Sequence, residues 1–254
     1  MAANMTNWLE SQVVNAMAGE ATLPAIGATI KLRLHTGDPT DAGSANALAT
    51  GGGYDVSGQA VTFADLATLL CTSNAFTITN CPAGTITHFT VWDGTTNVWF
   101  WGTYSKTLSV GKDLEFTGGE FDIVYQGDMT EVLAQKITNA FRNVGSYTNV
   151  TPTLRAFTAS PGTTGLISNE AADGGYTPPT PTWAAESGGA IDLASDASYG
   201  TWVGAESITH LGVADDNETT DKLLWFDAPT GGTVVMAAGE VLRSKAGEFT
   251  VTAT

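Results

Sequence analysis

The sequence predicts a mainly β protein built as two tandem β-sandwich domains of jelly-roll or Greek-key kind, each preceded by a short N-terminal α-helix. Three observations carry that expectation. A set of motifs returns halfway along the 254-residue chain, each copy opens with an apolar stripe of helical spacing, and short runs of period-two alternation follow between turn residues. The repeats are expected to divide as residues 1–126 and 127–254.

The copies open alike. Met5-Thr6 leads into Leu9, Val13, Asn15-Ala16 and Met17, and Met129-Thr130 into Leu133, Ile137, Asn139-Ala140 and Phe141, an offset of 133 − 9 = 124. Apolar residues at i, i+4 and i+8 form one stripe of an amphipathic helix, and Asn7 with Glu10 and Asp128 with Glu131 supply start signals. Further along, Leu32-Arg33 matches Leu154-Arg155, Gly52-Gly53-Tyr54 matches Gly174-Gly175-Tyr176, and Trp99-Phe100 matches Trp225-Phe226. The joint falls near Gln126-Gly127-Asp128. After each helix the pattern is that of strands: Ile30, Leu32 and Leu34 alternate with Lys31 and Arg33, and Val61 and Phe63, Phe76 and Ile78, Phe89 and Val91, and Leu114 and Phe116 repeat it. Tyr176-Thr177-Pro178-Pro179-Thr180-Pro181 reads as an edge or loop, since proline lacks the donor that a ladder needs.

Composition excludes several classes. Asp+Glu number 26 against Lys+Arg 10, a net charge of −16 that divides as 4 − 11 = −7 and 6 − 15 = −9 between the copies. Nucleic acid is not an expected partner, because neutralising phosphates takes Lys and Arg. No apolar run approaches the roughly 20 residues that cross a bilayer, and the first basic residue is Lys31, so neither a membrane span nor Sec export is expected. Cys71 and Cys81 either pair across adjacent strands or sit as buried thiols.

Reactive constellations fail on supply. His88 and His210 hold equivalent places in Ile86-Thr87-His88-Phe89 and Ile208-Thr209-His210-Leu211, so they read as core-edge residues present twice, not as one general base. His35 matches Phe157 and reads as packing. H-E-x-x-H, G-x-S-x-G and G-x-x-x-x-G-K-[ST] are absent, so no catalytic residue and no cofactor is expected. Asp38-Pro39-Thr40-Asp41 and Asp215-Asp216-Asn217-Glu218 cluster oxygen atoms, which leaves bound calcium as the alternative to solvated acidic loops. Of the seven tryptophans, Trp99 recurs as Trp225 and reads as core, whereas Trp8, Trp183 and Trp202 have no tryptophan partner and are candidates for exposed contact.

The run Leu34-His35-Thr36-Gly37-Asp38-Pro39-Thr40-Asp41-Ala42-Gly43, with Gly51-Gly52-Gly53-Tyr54, Ile86-Thr87-His88-Phe89-Thr90-Val91-Trp92-Asp93 and Gly111-Lys112-Asp113-Leu114-Glu115-Phe116, resembles a family of small tailed-bacteriophage structural proteins described as tail-fibre-like or minor tail proteins. The resemblance covers residues 5–125, and more weakly 129–254, where Ser160 and Ala214 replace Asp38 and Trp92. Asp55 and Val56 stand where such proteins often carry Arg. It implies a non-enzymatic virion part, assembled in the host cytoplasm, whose partners are other virion structural proteins. A fibre, tip or adaptor of the tail is the leading expectation. A capsid decoration protein, or a carbohydrate-binding module facing a host-surface glycan, are the alternatives. Two similar faces per chain suit a homo-oligomer, with a trimer favoured because three such chains present six faces. The expected contact residues are Asp38, Asp41 and Tyr54 with Tyr176, and Trp202, since loops carry recognition more often than strands.

Overall fold

The computed structural model describes residues 2–253 apart from 24, 27–28, 41, 68, 126–128, 143, 148–149 and 220–221. The first repeat runs β1 (Ala2–Met5), α1 (Asn7–Met17), β2 (Lys31–His35), β3 (Gln59–Ala60), β4 (Leu70–Thr72), β5 (Phe76–Ile78), β6 (Gly84–Trp92), β7 (Val98–Leu108), β8 (Leu114–Phe116) and β9 (Asp122–Val124). The second runs α2 (Glu131–Phe141), β10 (Pro152–Phe157), β11 (Ala190–Asp192), β12 (Ala197–Thr201), β13 (Glu206–Ile208), β14 (His210–Asp215), β15 (Leu223–Asp227), β16 (Val234–Met236), β17 (Val241–Ser244) and β18 (Thr250–Thr252). The chain is mainly β, in two repeated helix-plus-β units. The expected joint at 126–128 lies outside the described residues.

Both helices form where the apolar spacing places them, with Leu9, Val13 and Met17 on one and Leu133, Ile137 and Phe141 on the other buried. Their caps differ from the expected Asn7 and Asp128. Thr6 and Thr130 are the N-caps, each accepting from the amide three residues on, Leu9 N and Leu133 N. The same hydroxyls donate to the repeat's own strand, Thr6 to Val98 O at 2.6 Å and Thr130 to Leu223 O at 2.5 Å. A threonine hydroxyl that both accepts and donates ties helix to sheet.

The strands pair in the same scheme twice. In the first repeat β3-β2-β6-β7-β1-β9-β4 form one sheet and β5-β8 a ribbon; in the second, β10-β14-β15 form a sheet and β11-β18, β12-β17 and β13-β16 form ribbons. In the first repeat continuity comes from β1, which the sequence pattern did not mark: it pairs antiparallel with β7 and parallel with β9, and Met129 bridges Trp225 as Met5 pairs with Phe100. The register also corrects the sequence alignment by one residue. Val91 pairs with Phe100 and Val213 with Trp225, while Thr90 pairs with Trp101 and Gly212 with Phe226. Since 213 − 91 = 122 matches the histidine offset, Trp225 stands in the place of Phe100 and Leu224 in that of Trp99. Side chains from both faces of this strand are buried there, Trp99, Phe100, Leu224 and Trp225 alike, so the apolar run reads equally well in either register.

One buried hydrophobic cluster spans both repeats, from Leu9 and Leu32 through Phe141 to Leu154 and Val251. Phe141 of α2 sits against Phe63, Phe100 and Trp99 of the first repeat, with ring centroids 5.0, 5.3 and 6.0 Å away. In return α1 packs on β11 and β18 of the second. Leu23 and Tyr147, equivalent by 147 − 23 = 124, bridge one another through both backbone hydrogen bonds, at 3.0 and 2.9 Å. A two-way bridge between equivalent residues marks a pseudo-twofold axis, as in an isologous dimer interface. Ser11 and Gln135, again 124 apart, respect that axis: Ser11 Oγ donates to Glu186 and Gln135 Nε2 to Asp65, both in the loop after the equivalent bridges of Phe63 and Trp183.

Candidate functional site

The residues expected to make contacts are distributed unevenly. Asp38 is exposed, and its Oδ1 accepts from Thr40 N at 2.8 Å in a tight turn. Asp41 lies outside the described residues. Tyr54 is turned inward, its hydroxyl accepting from Leu34 N at 2.9 Å, and Tyr176 repeats this with Ala156 N at 3.0 Å while donating to Glu170. These tyrosines pin a loop to β2 in the first repeat and to β10 in the second. Trp202 is fully buried; its indole N–H donates to Glu206 and its ring lies 5.7 Å from that of Tyr176. Its lack of a tryptophan partner reflects local packing, not exposure.

The titratable groups that invited chemistry are engaged in the fold. His88 and His210 each bond to the hydroxyl before them, Thr87 and Thr209, and lie beside equivalent rings, Trp101 and Phe226. His35 is enclosed, with Nδ1 2.8 Å from Ala45 O and Nε2 2.9 Å from Thr90 Oγ1. Burial pulls its pKa down to about 4, so the ring is neutral, donating from Nδ1 and accepting at Nε2. Asp93 Oδ1 accepts from three successive amides, Thr95, Thr96 and Asn97; burial pushes its carboxyl up, and these bonds hold it below the usual range. Its equivalent Asp215 accepts from Thr151 N and Asn217 N. The neighbours in the acidic run have cationic partners, Asp216 with Arg155 and Lys222 and Glu218 with Lys136. Among the described residues no group of His, Cys, Asp and Glu is arranged to hold a metal ion. Cys71 and Cys81 are buried free thiols.

A concave site lies elsewhere, in the second repeat, and the repeat register explains it. In the first repeat five rings fill the space between β6, β7 and the β5-β8 ribbon. Phe76 stacks on Phe116 at 4.5 Å, Phe89 meets Phe121 at 4.7 Å, and Tyr104 lies 5.8 and 5.0 Å from Phe116 and Phe121. Strand pairing puts Ala197, Leu211 and Ser244 at the places of Phe76, Phe89 and Phe116, and the matching bonds Ser73 N to Phe121 O and Leu193 N to Phe249 O put Phe249 at the place of Phe121. Where β7 runs unbroken past Tyr104, the second repeat breaks after Asp227 and resumes at Val234. A cleft of about 500 Å³ opens there, with Leu211, Trp225 and Phe249 in its lining. Arg243 and Lys245, at the places of Glu115 and Thr117, line it together with Asp227 and Glu248. No sequence signal pointed to this site, because it is made by the absence of rings whose counterparts are recognisable only once the register is known.

A family model described as podophage GP4 fiber I protein gp80 matches the chain twice, over residues 4–124 and 128–252. The chain belongs to this family. The two Gp80 matches coincide with the two helix-plus-β units, so the tandem duplication and the phage-fibre resemblance of the sequence are the same finding seen from two sides. The family is one of phage virion structural proteins. A search of the curated proteins returns no match.

Proposed function

We propose that this Gp80 chain is a non-catalytic component of the phage tail fibre, working through contacts with other virion proteins and assembling as a homo-oligomer, with the trimer as leading form. The observation that carries this reading is the double match to a podophage fibre protein family. The chemistry of the interior supports it. The buried or partly buried groups His35, Asp93, Asp215 and Asp216 are taken up by structural hydrogen bonds or an ion pair, which is the use a rigid contact protein has for them. No helix among the described residues is long and apolar enough to cross a membrane. Among the described residues, Asp38, on an exposed turn, is the expected contact residue that is open to a partner.

The test is the copy number of the chain per purified virion, by quantitative mass spectrometry against the major capsid protein, together with antibody labelling of particles. Labelling confined to the tail, with a low copy number that is a multiple of three, is the expected result. Copy number comparable to the shell protein would place it on the capsid as a decoration protein and overturn the tail assignment, and absence from particles would overturn the virion role.

A further inference from the structure

We propose that the second repeat's cleft is a binding site for a saccharide of one or two pyranose rings. The argument starts from divergence within a duplication. Of the four first-repeat rings that strand pairing and backbone bonds match, only Phe121 is retained, as Phe249, while Phe76, Phe89 and Phe116 become Ala197, Leu211 and Ser244. The buried Tyr199 ring, whose hydroxyl meets Ser244 at 3.0 Å, takes up part of the space so freed, and about 500 Å³ stays open, inside the range of roughly 300–1,000 Å³ typical of small-ligand pockets. The same divergence put cations at its edge: Arg243 and Lys245 replace Glu115 and Thr117. Among the described residues, Arg243 is the one cation of the second repeat without an ion pair.

The mixture of groups selects the ligand. Two cations, Arg243 and Lys245, face the same space as two carboxylates, Asp227 and Glu248, and the Lys245–Glu248 separation is a loose 3.8 Å. One Asp227 oxygen already accepts from Ala228 N. A simple anion would meet both carboxylates. An aromatic side chain from a partner protein would strip water from four charged groups and offer them nothing. Vicinal hydroxyls suit all four at once, because each hydroxyl accepts from a guanidinium or ammonium and donates to a carboxylate. The planar Arg243 fork spans two such hydroxyls. The apolar C–H face of a pyranose then lies toward Leu211, Trp225 and Phe249. The site stands on its lining alone; that its saccharide belongs to a host surface rests on the fibre reading.

The experiment is saturation-transfer-difference NMR on the full chain with a defined set of probes: glucose, galactose, rhamnose, N-acetylglucosamine, lactose, glucuronate, inorganic phosphate and N-acetyltyrosinamide. At least one neutral sugar is expected to receive saturation. The signal should drop at least tenfold in Ser244→Phe, which restores the first repeat's ring, and about as much in Arg243→Gln. Ser244→Phe also removes the buried Ser244–Tyr199 hydroxyl bond of 3.0 Å, so a lower melting temperature is expected of it and its folding is checked by circular dichroism. If it does not fold, Arg243→Gln and Asp227→Asn, changes at the rim, decide the matter. Binding that persists undiminished in these variants would overturn the site. Binding of glucuronate or phosphate with no neutral sugar would show an anion site, and binding of N-acetyltyrosinamide alone would show a socket for a partner's aromatic side chain; either would overturn the saccharide assignment. Because the measurement uses the isolated chain, its failure leaves the fibre placement to the copy-number test.

Discussion

Arg33 and Arg155 hold equivalent positions on β2 and β10, and the two repeats satisfy them in opposite ways. Arg33 lies over the Trp92 ring, with its guanidinium carbon 3.9 Å from the centroid, and its Nε finds no partner. In the second repeat Ala214 replaces Trp92, and Arg155 pairs instead with Glu170 at 2.8 Å and with Asp216. The aromatic cluster follows the same division: rings close the first repeat where the second keeps an open cleft with a charged rim. The first copy has the more aromatic outer packing and the second the more charged, while the caps within each repeat, and the helical stripes and Leu23–Tyr147 bridge that join the two, are alike. Duplication conserved the internal interface and freed one copy to diverge on its outer side.

The comparison can be broken most severely at the shared core. Phe141→Ala removes the ring that meets Phe63, Trp99 and Phe100 across the axis, and a loss of about 3–5 kcal/mol is expected by chemical denaturation, with both repeats destabilised together. The arginines come next. Arg155→Met leaves Glu170 and Asp216 facing one another without their cation and should lower stability by about 2 kcal/mol, less than for a fully buried pair because both carboxylates are partly exposed. Arg33→Met loses a ring contact worth about 1 kcal/mol. Equal effects would contradict the different roles assigned to them.

Acid sensitivity sharpens the contrast further. Burial holds His35 at about 4 in the folded protein, whereas the unfolded chain takes up its proton near pH 6.5. The unfolded state therefore binds more protons between these values. The stability tied to this group is whole above pH 6.5 and falls as pH drops toward 4, by at most about 1.4 kcal/mol per pH unit. His35→Phe copies the second repeat's Phe157 and removes this titration, so the parent-minus-variant difference in urea titrations should rise with pH across that window and be flat above it. Smallest are the caps: Thr6→Ala and Thr130→Ala should each lower stability by about 1 kcal/mol, and by similar amounts, since both hydroxyls accept from the amide three residues on and donate to the facing strand.

Much of this was legible in the chain. The stripe Leu9, Val13, Met17 and its copy Leu133, Ile137, Phe141 foretold two helices and their buried faces, and the alternation of Leu32 and Leu34 foretold β2. The double motif foretold the family. What escaped depends on contacts distant in sequence. Ala2–Met5 has no alternation to mark it, because β1 is held by neighbours on both sides. Tyr54 and Trp202 look like loop residues yet point inward, since the loop bearing each is anchored by its polar atom. Trp225 was matched to Trp99 by residue name, while the ladder equates it with Phe100. The cleft follows from that ladder, and no periodicity reports it.

The central claim is that the two repeats share one core about a pseudo-twofold axis. Differential scanning calorimetry of the full chain tests it most directly. One transition, with calorimetric and van't Hoff enthalpies equal and shifted as a whole by Phe141→Ala, is the predicted result. Two separable transitions, only one of them moved by that substitution, would show independent domains joined by a linker and contradict the account.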